Sequence, residues 1–407
     1  RSYAELSLAP ALTRQWPSVY SALADGTINT AGLRELCLAQ IPREKSRRHF
    51  ALDVTAVRRM HSPTLKDRLF CHGAQREVAG RGLIIGLPYS ILAYVEGRGT
   101  SWAPAVHTER VTPDQTAVDV ALTQASWVVE QSSEDTTSEI ALDGGYGNLK
   151  FFTGMRGLNT FATARMRNDR VLYQLPTVPL KGKKKRGRSR KYGAEFRFAA
   201  PATWPEPDEV LEFEDPKFGR TRLELWPALR FRVKKEIVDI AVIRSQIRLE
   251  KDSPPTPHWY GVHNGTKEKT TLARVFECIT HRWPIDRANR FRKERLYAEL
   301  PKVRQAEGSD LWMTLLQIVE WELYLWRPVA TDSHLPWQKP LAPDQLTPGR
   351  VIRSLSENLE RVGTPVSPVL PRGKSPGWPT GRHRTRPATY RLESKKRKKA
   401  MEMSKNE

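Results

Sequence analysis

The spacing of apolar residues changes period several times along the chain. Over residues 1 to about 48 it is helical, in Tyr3–Ala9 and again in Thr27–Ala39, and Ile41-Pro42 closes the stretch. The period then drops to two. In His49–Thr55, Phe50, Leu52 and Val54 share one face and Asp53 falls opposite, the pattern of a strand. Tyr89–Val95 and Trp102–Arg110 read as further strands, and the three are expected as a meander. Thr112-Pro113-Asp114 predicts a helix start, with Thr as N-cap, Pro in the first turn and Asp complementing the helix dipole. Val118, Leu122, Ala125 and Val129 form its apolar stripe. Glu139–Leu142, running into Asp143-Gly144-Gly145, and Phe161–Met166 are the next strands. Three strands, a helix and two more strands predict a mixed α/β domain over 49–167.

A polar interruption follows. Lys181–Lys191 (KGKKKRGRSRK) cannot be core and reads as a solvated loop or a polyanion contact. Strand-like segments flank it at Arg170–Val178, Glu195–Ala199, Thr221–Arg232 and Glu236–Arg248, so 168–250 is expected to be a mostly β insertion. Helical spacing returns over 251–330. Thr270–Thr280 is one helix, Trp283–Leu300 a second stopped by Pro301, and Asp310–Trp326 a third. In the third, Leu311, Leu315, Ile318, Val319 and Leu325 are the expected core face, with Glu322 its odd polar member. Residues 331–407 are rich in Pro and basic residues, and little fixed structure is expected there.

Charge adds a partner to this outline. The 407 residues carry 67 Lys and Arg against 45 Asp and Glu, a net +22. Residues 350–407 alone hold 15 basic residues against 5 acidic. This excess calls for a polyanion, with nucleic acid preferred and an acidic membrane surface the alternative. The longest apolar stretch, Gly82–Val95, is too short to span a bilayer, and no leader-like segment opens the sequence at Arg1. Cys37, Cys71 and Cys278 lie far apart, which argues against a cysteine zinc cluster or a disulfide framework and suits a reduced intracellular protein. His107, His258, His263 and His281 show no paired ligand spacing.

Three acids stand where chemistry is possible. Asp53 interrupts an apolar strand, Asp143 ends another strand before two glycines, and Asp286 opens a helix. Each also has a structural reading, as a turn former, an Asp-Gly turn and a helix-dipole partner respectively. Together, on adjacent strand ends and a nearby helix, they are the set a two-metal nuclease needs to hold two Mg²⁺ about 4 Å apart. Lys293 lies seven residues beyond Asp286 on the same helix face, with Arg290 near it. Arg165 and Arg167 alternate on their strand and point one way, toward a DNA groove or solvent.

The joint order of these pieces resembles the DDE-type insertion-sequence transposases. The branch is the one with a Tyr-x2-Arg-x3-Glu-x6-Lys signature, similar to the insertion-sequence 701 and insertion-sequence 4 groups. The matching segments are FALDVTAVRR with Asp53, ALDGGYGNLKFF with Asp143, ATARMRNDRVLY, and HRWPIDRANRFRKERL. In the last, Arg282, position 286 and Lys293 reproduce the Arg-x3-Glu-x6-Lys spacing. LTPGRVIRSL and PRGKSPGWPTGR also look like that group. The resemblance departs at two places, Asp286 where Glu is usual and Ile279 where Tyr is usual.

The resemblance implies an RNase H-like core in two parts, 49–167 and 251–330. The β insertion lies between the second and third acids, a helical segment over 1–48 contacts DNA, and 331–407 forms a basic tail. Asp53, Asp143 and Asp286 would be the catalytic metal ligands for two Mg²⁺, with Mn²⁺ able to substitute. The implied reaction is cleavage at transposon ends followed by strand joining through the freed 3′-hydroxyl. Double-stranded DNA, both ends and target, is the implied partner, with a homo-oligomer on DNA and no membrane association. The expected location is a bacterial cytoplasm, on the nucleoid. Arg282, Arg290 and Lys293 are expected on the DNA backbone, as are Arg165, Arg167, Lys183, Lys184, Lys185, Arg186, Arg188 and Arg190. PRGKSPGWPTGR resembles a minor-groove hook, with Trp378 where such hooks prefer Arg. The rival reading is a catalytically impaired or domesticated descendant that only binds DNA.

Overall fold

The computed structural model describes residues 16–42, 46–72, 82–133, 135–176, 190–233, 237–247, 256–362, 379–383 and 385–392. In chain order the elements begin with α1 (Trp16–Asp25), α2 (Thr30–Ala39), β1 (Arg47–Arg58), β2 (Leu69–His72), β3 (Leu83–Val95) and β4 (Ala105–Arg110). Next come α3 (Ala117–Glu130), β5 (Thr137–Leu142), α4 (Leu149–Gly154), β6 (Thr160–Met166), β7 (Val171–Tyr173) and β8 (Glu195–Arg197). They are followed by β9 (Glu209–Asp215), β10 (Gly219–Arg230), β11 (Asp239–Ile247) and β12 (Thr256–Asn264). The last helices are α5 (Leu272–Thr280), α6 (Trp283–Glu294), α7 (Ala306–Trp326) and α8 (Pro348–Val362).

The twelve strands form one sheet, in the order β2-β3-β1-β5-β6-β12-β11-β10-β7-β8, with β4 also on β3 and β9 also on β10. β1 runs antiparallel to β3, and β3 to β4, which is the expected meander. β1 then pairs parallel with β5, and β5 parallel with β6. Parallel neighbours need a crossover, and α3 supplies one before β5 and α4 another before β6. Phe50, Ala51 and Leu52 are all fully buried, so β1 is covered on both faces there, as a central strand in a parallel pairing is. The strands of 168–250 do not stand apart: β11 pairs with β12, which pairs antiparallel with β6, so they extend the same sheet.

Four local expectations change. The helix expected from Thr112 starts at Ala117, because Thr116 and Asp119 form a reciprocal capping box and Thr112–Asp114 form the preceding turn. α6 ends at Glu294 rather than Leu300. Tyr297 adopts φ 57°, and the Leu296 and Ala298 amides fold back on the Phe291 and Arg292 carbonyls, which closes the last turn.

α7 buries a different face from the one its apolar residues mark. Leu325 is exposed and Leu311, Leu315, Ile318 and Val319 are only partly covered, while Met313, Leu316, Gln317, Glu320, Trp321 and Tyr324 are buried. The reason lies in β4. Gln317 donates to the Val106 carbonyl at 2.9 Å, Trp321 to the Ala105 carbonyl at 2.6 Å, and Glu320 accepts from the Ala105 amide at 3.0 Å. A helix covering a strand edge must satisfy its backbone, so polar side chains face inward. The polar member is therefore Glu320; Glu322 is exposed.

The fourth change is in the tail. α8 is a helix where little structure was expected, with Val351 and Ser354 fully buried. Further on, the Tyr390 amide donates to the Pro63 carbonyl at 2.8 Å and Arg68 donates to the Tyr390 carbonyl at 3.3 Å. The three cysteines are buried and form no disulfide.

Candidate active site

Asp53, Asp143 and Asp286 come together from three elements. Leu52 and Leu142 are the last residues paired between β1 and β5, so Asp53, still inside β1, and Asp143, just past β5, follow side by side on neighbouring parallel strands. Asp286 lies in the first turn of α6. Arg282 ties it to the strand end, at 3.1 Å from the Asp286 carboxylate and 4.0 Å from Asp143. Burial pushes the Asp53 carboxyl up to about 6, reinforced by the charges of Asp286 and Asp143 and opposed by Arg282 and the Val54 amide. Asp143 Oδ1 is buried without a hydrogen-bond partner, with Arg165 at 3.8 Å and Arg282 at 4.0 Å. The hydroxyl of Tyr146, on the turn after Asp143, is likewise buried, beside Ser90, and burial together with the Asp53 charge keeps it un-ionised. The charges of Asp143 and Asp286 act on Asp53, so the three carboxylates are electrostatic neighbours, although their oxygens do not all meet within 4.8 Å. As oxygen donors they have the chemistry that suits a hard divalent cation such as Mg²⁺ or Mn²⁺.

Between the ordinary Asp53 value of 3.8 and about 6, the folded chain holds a proton that the unfolded chain releases. Its stabilising share is complete below 3.8 and is lost as pH rises through about 6. The melting temperature of metal-free protein, relative to Asp53→Asn, should therefore fall across that window. Mg²⁺ should raise the melting temperature at pH 7.5 and not at pH 4.5. Equal Mg²⁺ shifts at the two pH values would show that the cation does not meet an ionised Asp53.

The basic residues are distributed unevenly. Arg282 is largely buried between two acids, so its charge faces the site rather than an open surface. Arg165 also faces Asp143 and meets His258 Nδ1 at 3.1 Å. Arg167 lies just past β6 and pairs with Asp169 at 2.7 Å. Lys293 is partly covered, and burial lowers its ammonium pKa while Glu299, and more weakly Asp53, act the other way. Arg290 is exposed beside Glu294 at 3.7 Å, and Arg190 is exposed. Lys183, Lys184, Lys185, Arg186 and Arg188 lie outside the described residues, as does most of PRGKSPGWPTGR. A groove of about 430 Å³ runs along α6, bordered by Asp286, Arg287, Arg290, Arg295 and the start of α8. A larger cavity of about 730 Å³, between residues 64–67, 304–307 and 385–390, touches none of the three acids.

Two buried polar groups around the site have no counterpart in the sequence reading. Asn289 donates to Asp53 Oδ2 at 2.9 Å and leads to Arg292 and Glu320. On β1 and α5, His49, Glu277 and His281 bring ligand atoms within 4.8 Å of one another. There the two imidazoles stack at 3.7 Å and 11°, so their in-plane lone pairs run side by side instead of converging. Burial disfavours a charged His49, but Glu139 and Glu277 outweigh it and raise its pKa; His49 in turn holds Glu277 down at about 2. Arg274, 2.7 Å from the fully buried Glu139, completes a set of paired charges that fastens β1 to α5. His281 was the visible member of that set, four residues after Glu277, but His49 and Glu139 lie far away in the chain.

Comparison with known proteins adds the family. No curated protein matches the chain. Among solved structures, the chain is similar to one described as a cryo-EM structure of a piggyBac transposase synaptic complex with hairpin DNA, at 10% identity and a TM-score of 0.35. That likeness covers 82% of this chain and 59% of the other. Residues 1–223, which include Asp53 and Asp143, match the family described as DDE superfamily endonuclease, and the chain belongs to that family.

Proposed function

We propose that this protein is a DNA transposase that cuts and joins strands at the ends of an insertion sequence, with Asp53, Asp143 and Asp286 as its catalytic carboxylates. The observation that carries the reading is that the three acids become electrostatic neighbours, with Arg282 between two of them, from positions 90 and 143 residues apart in the chain. The strand order β4-β3-β1-β5-β6, antiparallel then parallel, supports an RNase H-like core. Asp53, Asp143 and Asp286 would hold Mg²⁺. When bound, the ions supply Lewis-acid activation of an attacking oxygen and stabilise charge on the leaving oxygen. The chain's own residues do the rest. Arg282 neutralises part of the carboxylate charge before the cations arrive and keeps Asp286 turned toward Asp143. The buried wall of Tyr146 and Leu142 excludes water from beneath the acids.

Arg287, Arg290 and Arg295 along the groove would seat backbone phosphates beside Asp286. Replacing all three with Ala should flatten the slope of log K against log salt by about 2–3, close to one released counterion per lost contact. A slope unchanged within error would take DNA out of the groove. The decisive test of the whole reading is Mg²⁺-dependent nicking of duplexes carrying the element's terminal repeats. Cleavage exposing a 3′-hydroxyl at the repeat boundary is expected. Binding without any cleavage in Mg²⁺ or Mn²⁺ would sink the enzyme reading.

A further inference from the structure

A chain of hydrogen bonds continues from Asp53 through α6 into α7. Asn289 Nδ2 lies 2.9 Å from Asp53 Oδ2, and Arg292 Nη1 lies 2.7 Å from Asn289 Oδ1. Arg292 Nη2 reaches Glu320 Oε2 at 2.8 Å and the Ala103 carbonyl at 3.2 Å, and its Nε also meets Glu320. Glu320 is fixed in turn by the Ala105 amide at 3.0 Å. Asn289, Arg292 and Glu320 are 7%, 2% and 5% exposed, so no water competes freely for these bonds.

The direction of the network follows from chemistry. A guanidinium only donates, so the Asn289 atom facing Arg292 must be the carbonyl oxygen. The amide NH₂ then faces Asp53 and donates to it. Glu320, held by backbone on β4, thus sets the flip of Asn289 through Arg292, and Asn289 clamps one oxygen of Asp53. A carboxylate clamped in this way cannot turn about its Cβ–Cγ bond without breaking that hydrogen bond.

We propose that Asn289 is a positioning residue for Asp53, oriented by the buried Arg292–Glu320 pair, so that α7 presets the carboxylate for its cation. This rests on the reading of Asp53 as a metal ligand. Partners of metal ligands typically contribute 10–100-fold in affinity or rate. The test uses the full chain and Mn²⁺ alone as the probe, with binding read by calorimetry and DNA cleavage read separately. Asn289→Leu should weaken Mn²⁺ binding about 10–100-fold and lower kcat by a similar factor, with KM for DNA unchanged. Asn289→Ser, smaller and still polar, serves where the leucine variant does not fold. Leu316→Ala, a core change on α7 outside the network, should lose stability and keep Mn²⁺ affinity. Loss of stability in the Asn289 variants with parental Mn²⁺ affinity and kcat would overturn the proposal while Asp53→Asn still loses the ion. Parental Mn²⁺ binding by Asp53→Asn would overturn both the proposal and the reading of the site.

Discussion

Asp286→Asn should lower Mg²⁺-dependent cleavage by about 10³-fold or more, since loss of a ligand forfeits several kcal/mol of transition-state charge stabilisation. Asp53→Asn and Asp143→Asn should do the same. DNA binding should persist or tighten in all three, because each change removes a negative charge facing phosphate. Glu294→Gln is the informative control. Glu294 lies eight residues along α6 from Asp286, about 12 Å at 1.5 Å per residue, and its exposed carboxylate already pairs with Arg290. It should keep most of the activity. Asp286→Glu lengthens the side chain to the reach usual in the family the sequence resembles, and activity should be retained or rise. A protein that cleaves with Asn at 286 and not with Gln at 294 would move the third ligand along the helix. A parent that is inactive until Asp286→Glu would identify a decayed copy.

The largest stability effect is expected inside the network that supports Asp53. Arg292→Met leaves the Glu320 carboxylate buried against β4 without its cation, and burial already pushes that group above its usual range. Removing one partner of a buried pair costs about 3–5 kcal/mol. The urea midpoint should fall accordingly. Glu320→Gln in the same chain removes the stranded charge and still accepts from the Ala105 amide, so the double variant should recover a good part of the loss. A single variant within about 0.5 kcal/mol of the parent would show that the pair is not what holds α7 to β4.

Much of the local structure was legible along the chain. The two-residue period of His49–Thr55 marked β1, the Asp-Gly-Gly turn marked the end of β5, and the joint order of weak motifs pointed to the family that residues 1–223 match. These are short-range features, written in neighbouring residues. Helix boundaries were legible only to within a few positions. Thr112 and Thr116 are both good N-caps, and only Thr116 finds an acid three residues on whose side chain returns to its amide.

The sequence by itself determined many of the elements, though not β2, α4, β12 or α8, and which of their positions carry charge. It also made a polyanionic partner the preferred reading, through a net charge of +22. Which polar residues would be buried was decided by the tertiary structure. The apolar stripe of α7 marked one face, yet the helix covers the edge of β4, and unpaired backbone groups there drew Gln317, Glu320 and Trp321 inward. Asn289 and Arg292 are three residues apart, a spacing any exposed helix offers. Their role depends on Asp53, 236 residues away, and on Glu320, on another helix. A buried polar side chain is stable only where its partner is within hydrogen-bond distance, and for these residues only the folded sheet and its covering helices supply the partner.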